Sequence, residues 1–182
     1  LLYNKAVAND FDIVQCGTEV FFVNPDSEQA RNSKAEQKNF ENVCKKTNLL
    51  IEQPLFDSQI FNAAIVDHSI NLFVWGKLIK KEVFVRAYEK IPNVFCVFGE
   101  DYLISFFVAY FAKSYVGIKE KLCLYSVDTG ISSSLRIENI ERWEKICSVS
   151  SVFSIIFDEM NCGELELTQE QLQAVHRQCN TY

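Results

Sequence analysis

The chain has 182 residues, 48% of them hydrophobic and 23% charged, with a net charge of −6. That balance belongs to a globular chain long enough for one domain with a real core. The acidity, with no dense Lys/Arg cluster, argues against nucleic-acid binding, and no stretch approaches the roughly 18 uninterrupted apolar residues of a membrane span.

Residues 1–9 read as the tail of a helix ending at Asn9. Asp12-Ile13-Val14-Gln15-Cys16 and Glu19-Val20-Phe21-Phe22-Val23 are strand-like, and Asn24-Pro25-Asp26 is a turn. Asp10-Phe11-Asp12 has the D-x-D form that holds a divalent metal in sugar-nucleotide enzymes. Such a pair should follow a buried strand and project from a sheet edge. Here a polar helix end precedes it, so these acids read as a loop entering a strand rather than as metal ligands.

Residues 27–48 are polar, with Phe40 and Val43 the main large apolar side chains, and predict a solvated helix or a mobile excursion. Pro54 precedes a helical pattern, Leu55, Ile60, Phe61, Ala64 and Ile65, with Asp57 or Ser58 as the cap. The next run, Ile70-Asn71-Leu72-Phe73-Val74-Trp75, is apolar on both faces, and Gly76 marks a bend or a close approach. Leu78 and Ile79 lead to a helix beginning near Glu82. Trp75 beside Gly76 and Lys77 suits a sugar face with a phosphate nearby, since indole stacks on C–H groups and the ammonium neutralises charge. The plainer reading is a core tryptophan and a solvated lysine.

Val94-Phe95-Cys96-Val97-Phe98 is short enough to be a buried strand or extended segment. Gly99 then breaks the chain, and Glu100-Asp101 opens a helix of about three turns. Its Leu103, Ile104, Phe106, Phe107, Val108, Tyr110 and Phe111 leave little polar face, which places it in the middle of a domain. Two acids at a helix start accept from free backbone N–H groups and meet the positive end of the dipole, so capping is one reading. The other is a general base mounted on a rigid helix, able to take a proton from an alcohol as that alcohol attacks.

Tyr115-Val116-Gly117-Ile118 and Lys121 to Val127 read as two short strands joined by a turn at Lys119-Glu120. Asp128 to Ser134 is a small-residue loop that could meet a phosphate or cap the next helix. Arg136 to about Met160 reads as helical with a break near Cys147–Ser151, and Thr168-Gln169-Glu170-Gln171 predicts a capping box for a last helix to Cys179. Residues 135–182 are therefore expected to form a helical appendage outside the sheet. There are no internal repeats and no Gly-rich phosphate loop.

The seven cysteines, at 16, 44, 96, 123, 147, 162 and 179, make an odd count with no C-x-x-C pair. Several sit in apolar runs, where a free thiol behaves as a small hydrophobe. The expectation is a reducing compartment, with neither a disulfide framework nor a zinc site. His68 and His176 share no ligand spacing with a cysteine and read as bystanders. Leu1-Leu2-Tyr3 has no signal-peptide character and looks like the inside of a longer, cytoplasmic protein.

In order and approximate spacing, residues 1–134 resemble the bacterial family-2 glycosyltransferases of the GT-A fold, which use nucleotide sugars to build surface polysaccharides. The resemblance runs through Asp12-Ile13-Val14, Val74-Trp75-Gly76-Lys77-Leu78-Ile79-Lys80-Lys81 and Gly99-Glu100-Asp101-Tyr102-Leu103. It continues through Ala112-Lys113-Ser114, Leu124-Tyr125-Ser126-Val127 and Ile131-Ser132-Ser133. It implies an α/β fold, a partial Rossmann-like GT-A domain over residues 1–134, followed by a helical extension over 135–182.

The activity implied is an inverting sugar transfer to a hydroxyl of a growing polysaccharide or glycolipid. Asp101 would be the base, Glu100 would shape the acceptor pocket, and Trp75 and Lys77 would line the acceptor and diphosphate side. Many relatives carry Arg and His near the strand after the central helix, where this chain has Ser126 and Asp128. The family's nucleotide-binding half, with its true D-x-D and Mg²⁺ or Mn²⁺, would lie upstream of Leu1, so these residues alone are expected to be inactive. Partners would be the nucleotide-sugar donor and a glycan or lipid-linked acceptor, with no nucleic acid and with peripheral membrane association compatible. The alternative is a non-catalytic interaction or carbohydrate-binding module that works through its surface, the helices after residue 135 included.

Overall fold

The computed structural model describes residues 1–22, 34–127 and 139–181. It is a mixed α/β structure. A four-stranded sheet comprises β1 (Ile13–Phe22), β2 (Leu55–Phe56), β3 (Lys77–Ile79) and β4 (Ser114–Val127) in the order β2-β4-β1-β3. The long strands β1 and β4 are parallel, and the short β2 and β3 flank them antiparallel. The helices are α1 (Leu2–Asn9), α2 (Lys34–Thr47), α3 (Ser58–Phe61, continued by a π-helical turn over Asn62–Val66), α4 (Lys81–Glu89), α5 (Glu100–Phe111), α6 (Ile140–Cys147), α7 (Val149–Asn161) and α8 (Gln169–Cys179).

Alternation along β1 and β4 divides the core. Ile13 and Tyr115 face the main cluster, while Val14 and Val116 turn to the opposite face, where Phe11 and α1 residues Leu2 and Ala6 cover them. The main cluster forms around α5, whose Leu103, Phe106 and Phe107 are almost wholly buried. Phe106 packs edge-on against Phe61 of α3, and Tyr102 stacks obliquely on Phe153 of α7. The helix therefore lies where its nearly all-round apolar surface predicts.

Several local expectations give way to longer-range pairing. One strand, β1 (Ile13–Phe22), runs through both strand-like pieces as far as the structure describes them, and the expected hairpin at Lys119-Glu120 is instead an irregularity inside the single strand β4. The register between them shifts between Cys16 and Gly17 and again between Gly17 and Thr18. A parallel partner carries the chain straight through a dipeptide that would otherwise turn. Leu55-Phe56 joins the sheet instead of starting the helix, which begins at Ser58. Residues 70–76 form no strand beyond the β3 residues that follow, and Val94–Phe98 is irregular and partly exposed, Phe95 being 60% exposed.

The segment Thr47–Ile51 replaces missing ladder bonds. The Asn48 side-chain amide accepts from Thr18 N–H (2.8 Å) and donates to Thr18 C=O (3.0 Å), pairing with β1 as a peptide unit would. Leu49 C=O accepts from the buried Gln15 side chain (2.8 Å), and Ile51 C=O accepts from Gly117 N–H (2.7 Å). Buried Tyr115 completes this chain by donating to Gln15 Oε1 (3.1 Å), and burial pushes its hydroxyl pKa up.

Among the described residues, the helical C-terminal part adds no strand. Its α7 and α8 nonetheless contribute Val152, Phe153, Ile156, Ala174 and Val175 to the same core as α5. The capping box forms as the sequence predicts, Thr168 accepting from Gln171 N–H and the Gln171 side chain accepting from Thr168 N–H. The Gln171 side chain also donates to Asn62 Oδ1 (2.7 Å), tying α8 to the π-helical turn. The turn at 24–26 and the loop at 128–134 lie outside the described residues.

Gly17 sits at the register shift because only a hydrogen fits there: an added Cβ would come within 2.7 Å of Lys119 O. Gly17→Ala is expected to cost about 1–3 kcal/mol, the usual range for overpacking. It should appear as a lower urea midpoint with an unchanged denaturant slope. An unchanged midpoint would show that the bulge yields without strain.

Candidate active site

Gly99 starts the site. Its φ of 87° is left-handed, and a Cβ there would press on Val149 and Val152 of α7 at 3.1 and 3.3 Å. Glycine is thus required both by conformation and by close approach. Just upstream, Ser148 Oγ accepts from Val97 N–H (3.0 Å) and Phe98 N–H (3.1 Å), so the α6–α7 junction holds the entry to α5. This places Glu100 and Asp101 at the first two positions of a helix that is fixed along its length.

Both acids line an open cavity of about 570 Å³, with Asn71, Leu72, Phe73 and Tyr102 among its other walls. Glu100 stands exposed at the rim, and partial burial pushes its carboxyl pKa up, with the neighbouring Asp101 charge adding to the rise. Asp101 is half-buried. Its Oδ1 accepts from Val74 N–H at 3.1 Å, so this carboxylate bonds to the turn opposite rather than capping its own helix through its side chain.

The turn facing Asp101 carries most of the polar detail. Asn71 N–H donates to Leu49 C=O (2.9 Å) and its side chain donates to Thr47 C=O (2.8 Å), anchoring the turn to the segment after α2. From α5, Ser105 Oγ donates to Leu72 C=O at 2.6 Å. Lys77 as a residue is only partly buried, but its ammonium is enclosed. That ammonium donates to Asn71 C=O (2.9 Å), to Asn71 Oδ1 (2.7 Å) and to Phe73 C=O. Burial pulls the Lys77 pKa down from the ordinary lysine range to about 7, and the charge of Asp101 opposes the fall.

Of the four residues singled out from sequence, Glu100 and Asp101 are brought together on the cavity wall. Trp75 and Lys77 lie elsewhere. Trp75 stacks against Phe73 (centroids 4.6 Å apart) and Tyr125 (4.9 Å), so two of the protein's own rings engage its π surface. Lys77 reaches inward under the turn, not outward to a diphosphate. Sequence reasoning overlooked Asn71 and Ser105; the available signal was one amide inside an apolar run and one hydroxyl inside a greasy helix.

The two acids of the D-x-D are occupied in bracing the sheet. Asp12 is 7% exposed and accepts from Lys113 N–H at 2.7 Å, while Lys80 bridges Asp10 (2.9 Å) and Asp12 (3.5 Å). Among the described residues, no group of three or more His, Cys, Asp or Glu side chains is arranged to hold a metal ion. The described residues thus offer no three-ligand centre for the divalent metal that the resemblance implies. His68 lines the cavity mouth, His176 stacks on Phe157, and all seven cysteines are free thiols.

The arrangement is that of an α/β protein with a carboxylate-bearing cleft at the N-terminus of its central helix. No family model, curated protein or solved structure matches the chain. No helix among the described residues is long and apolar enough to cross a membrane.

The Lys77 ammonium makes a signed prediction. Its folded-state pKa of about 7 lies below the roughly 10.4 of an unfolded lysine, so between those values the unfolded chain binds more protons. Stability from this group is lowest below pH 7 and should rise as pH climbs through the folded value, by at most about 1.4 kcal/mol per pH unit. Burial raises the pKa of Cys44, Cys96 and Cys123, which acts in the opposite direction, so the comparison is with Lys77→Met. Urea unfolding at pH 6.5 and 8.5 should give wild type the larger gain. Equal gains would contradict the assignment.

Proposed function

We propose that these residues form the acceptor side of a nucleotide-sugar-dependent glycosyltransferase, in which Asp101 is the general base. The observation that carries the reading is Asp101 itself. Its carboxylate lies at the head of the core helix, on the wall of a cavity of about 570 Å³, oriented by one hydrogen bond from Val74 N–H. An acceptor hydroxyl in that cavity would lose its proton to Asp101 as its oxygen attacks the anomeric carbon in line. The nucleoside diphosphate would leave on the far side, giving inversion. Proton transfer late in bond formation suits a carboxylate, because the attacking alcohol becomes acidic only then. Glu100 at the rim would shape the acceptor mouth. Donor diphosphate and divalent metal would be held by a part of the enzyme outside these 182 residues, in a cytoplasmic protein compatible with peripheral membrane attachment.

A non-catalytic interaction or carbohydrate-binding module is the second reading. Ile140 and Trp143, 71% and 48% exposed on α6, are the surface that favours it.

Asp101→Asn separates the two in the transferase that contains these residues, assayed with a panel of nucleotide sugars. Asparagine keeps an oxygen for Val74 N–H, so the fold should persist while kcat falls at least about 10²-fold. Turnover near the wild-type value would leave Asp101 as a brace for the turn and favour the module.

A further inference from the structure

The lysine of the Trp75-Gly76-Lys77 segment has a role other than the one its sequence neighbourhood suggests. We infer that Lys77 is a positioning residue: its enclosed ammonium clamps the Asn71–Phe73 backbone from beneath and thereby sets the orientation of Asp101 through Val74. The inference rests on the reading of Asp101 as the base.

Geometry carries the argument. An ammonium has three N–H donors and no acceptor. Here all three point at oxygens of the turn: Asn71 C=O, Asn71 Oδ1 and Phe73 C=O. None is left for a phosphate oxygen. The next residue along, Val74, donates to Asp101. The turn thus has a cation inside it and an anion on its far side. Asn71 takes part twice, since its side chain also donates to Thr47 C=O while its oxygen receives the ammonium. Ser105 Oγ holds the intervening Leu72 carbonyl to α5, the same helix that bears Asp101. Between Ile70 and Gly76 there is no ladder to fix the backbone, so these side chains do what a sheet would otherwise do.

Loosening the clamp would shift the Val74 N–H and free the Asp101 carboxylate to rotate. A base displaced by even a fraction of an ångström loses much of its advantage. Lys77 would therefore alter turnover without touching either substrate. A lysine that grips the donor diphosphate would instead alter donor binding.

Three measurements test this. In the native 182-residue chain at pH 5, where the group is the ammonium, NMR should show through-hydrogen-bond scalar coupling from Lys77 Nζ to the carbonyl carbons of Asn71 and Phe73, and none from Lys113, whose side chain is 73% exposed. In Lys77→Met, amide hydrogen exchange at Val74 should accelerate about 10-fold or more while Phe106 and Phe107 keep their protection. Asp101→Asn, which retains an oxygen acceptor, should leave Val74 near its wild-type rate. In the transferase, Lys77→Met should lower kcat about 10-fold with the donor KM unchanged.

Absence of that coupling at Lys77 would overturn the inference, as would unchanged Val74 exchange in folded Lys77→Met. A raised donor KM with kcat intact would do the same. Should Lys77→Met fail to fold, the coupling in the unaltered chain decides. A transferase inactive with every donor would refute the proposed function, and the coupling and exchange results would still decide the clamp.

Discussion

The Lys77 ammonium lies in the interior with three oxygens around it, and enclosing it costs free energy that those oxygens and the nearby Asp101 charge must offset. The offset is partial: burial still draws the Lys77 pKa down to about 7, so the group is the ammonium below that pH and loses its charge above it. The Asn71–Val74 segment is held by Lys77 from beneath, by Leu49 and Thr47 from the segment after α2, and by Ser105 from α5. Phe73 and Leu72 can form one wall of the cleft because their carbonyls are held from below and from α5. Asp101 forms the facing wall because Val74 keeps its carboxylate turned to the same turn.

The rest of the molecule supports this turn from two sides. From the sheet, the Thr47–Ile51 segment is stitched to β1 through Asn48 and Gln15 and to β4 through Gly117, and it passes that rigidity to Asn71 through two hydrogen bonds. From the helices, Ser148 and the close approach of α7 hold the chain at Gly99 so that α5 begins where it does. Lys90 links the end of α4 to Glu159 of α7 at 3.1 Å, and Tyr110 of α5 accepts from Glu166 N–H at 3.0 Å. The helices after residue 139 thus help to position the site, although they contribute no strand. Their packing explains why a cleft can exist at the mouth of a helix that is otherwise sealed in the core.

Legibility in the sequence followed the range of the forces involved. The α5 helix could be read because its apolar residues are dense and local, and the last helix because Thr168 and Gln171 carry their own cap chemistry. Cleft acids at Glu100 and Asp101 followed from the same helix start. By contrast, Lys119-Glu120 looked like a turn because nothing near them in sequence reveals a parallel partner a hundred residues away. Trp75 and Lys77 were chemically suited to a sugar and a phosphate, but the page of sequence could not show that Phe73 and Tyr125 already stack on one and that Asn71 already receives the other. Polar residues meeting across loops leave no periodic trace, so the clamp was visible only in three dimensions.

Amide chemical-shift mapping of the 182-residue chain, titrated with millimolar neutral methyl glycosides bearing free hydroxyls, tests the cleft most directly. The account predicts shifts concentrated at Phe73, Glu100, Asp101 and Tyr102, which line the cavity, and at Val74, whose N–H donates to Asp101. Shifts confined to α6 around Ile140 and Trp143, or no response at the cleft at saturating glycoside, would contradict it.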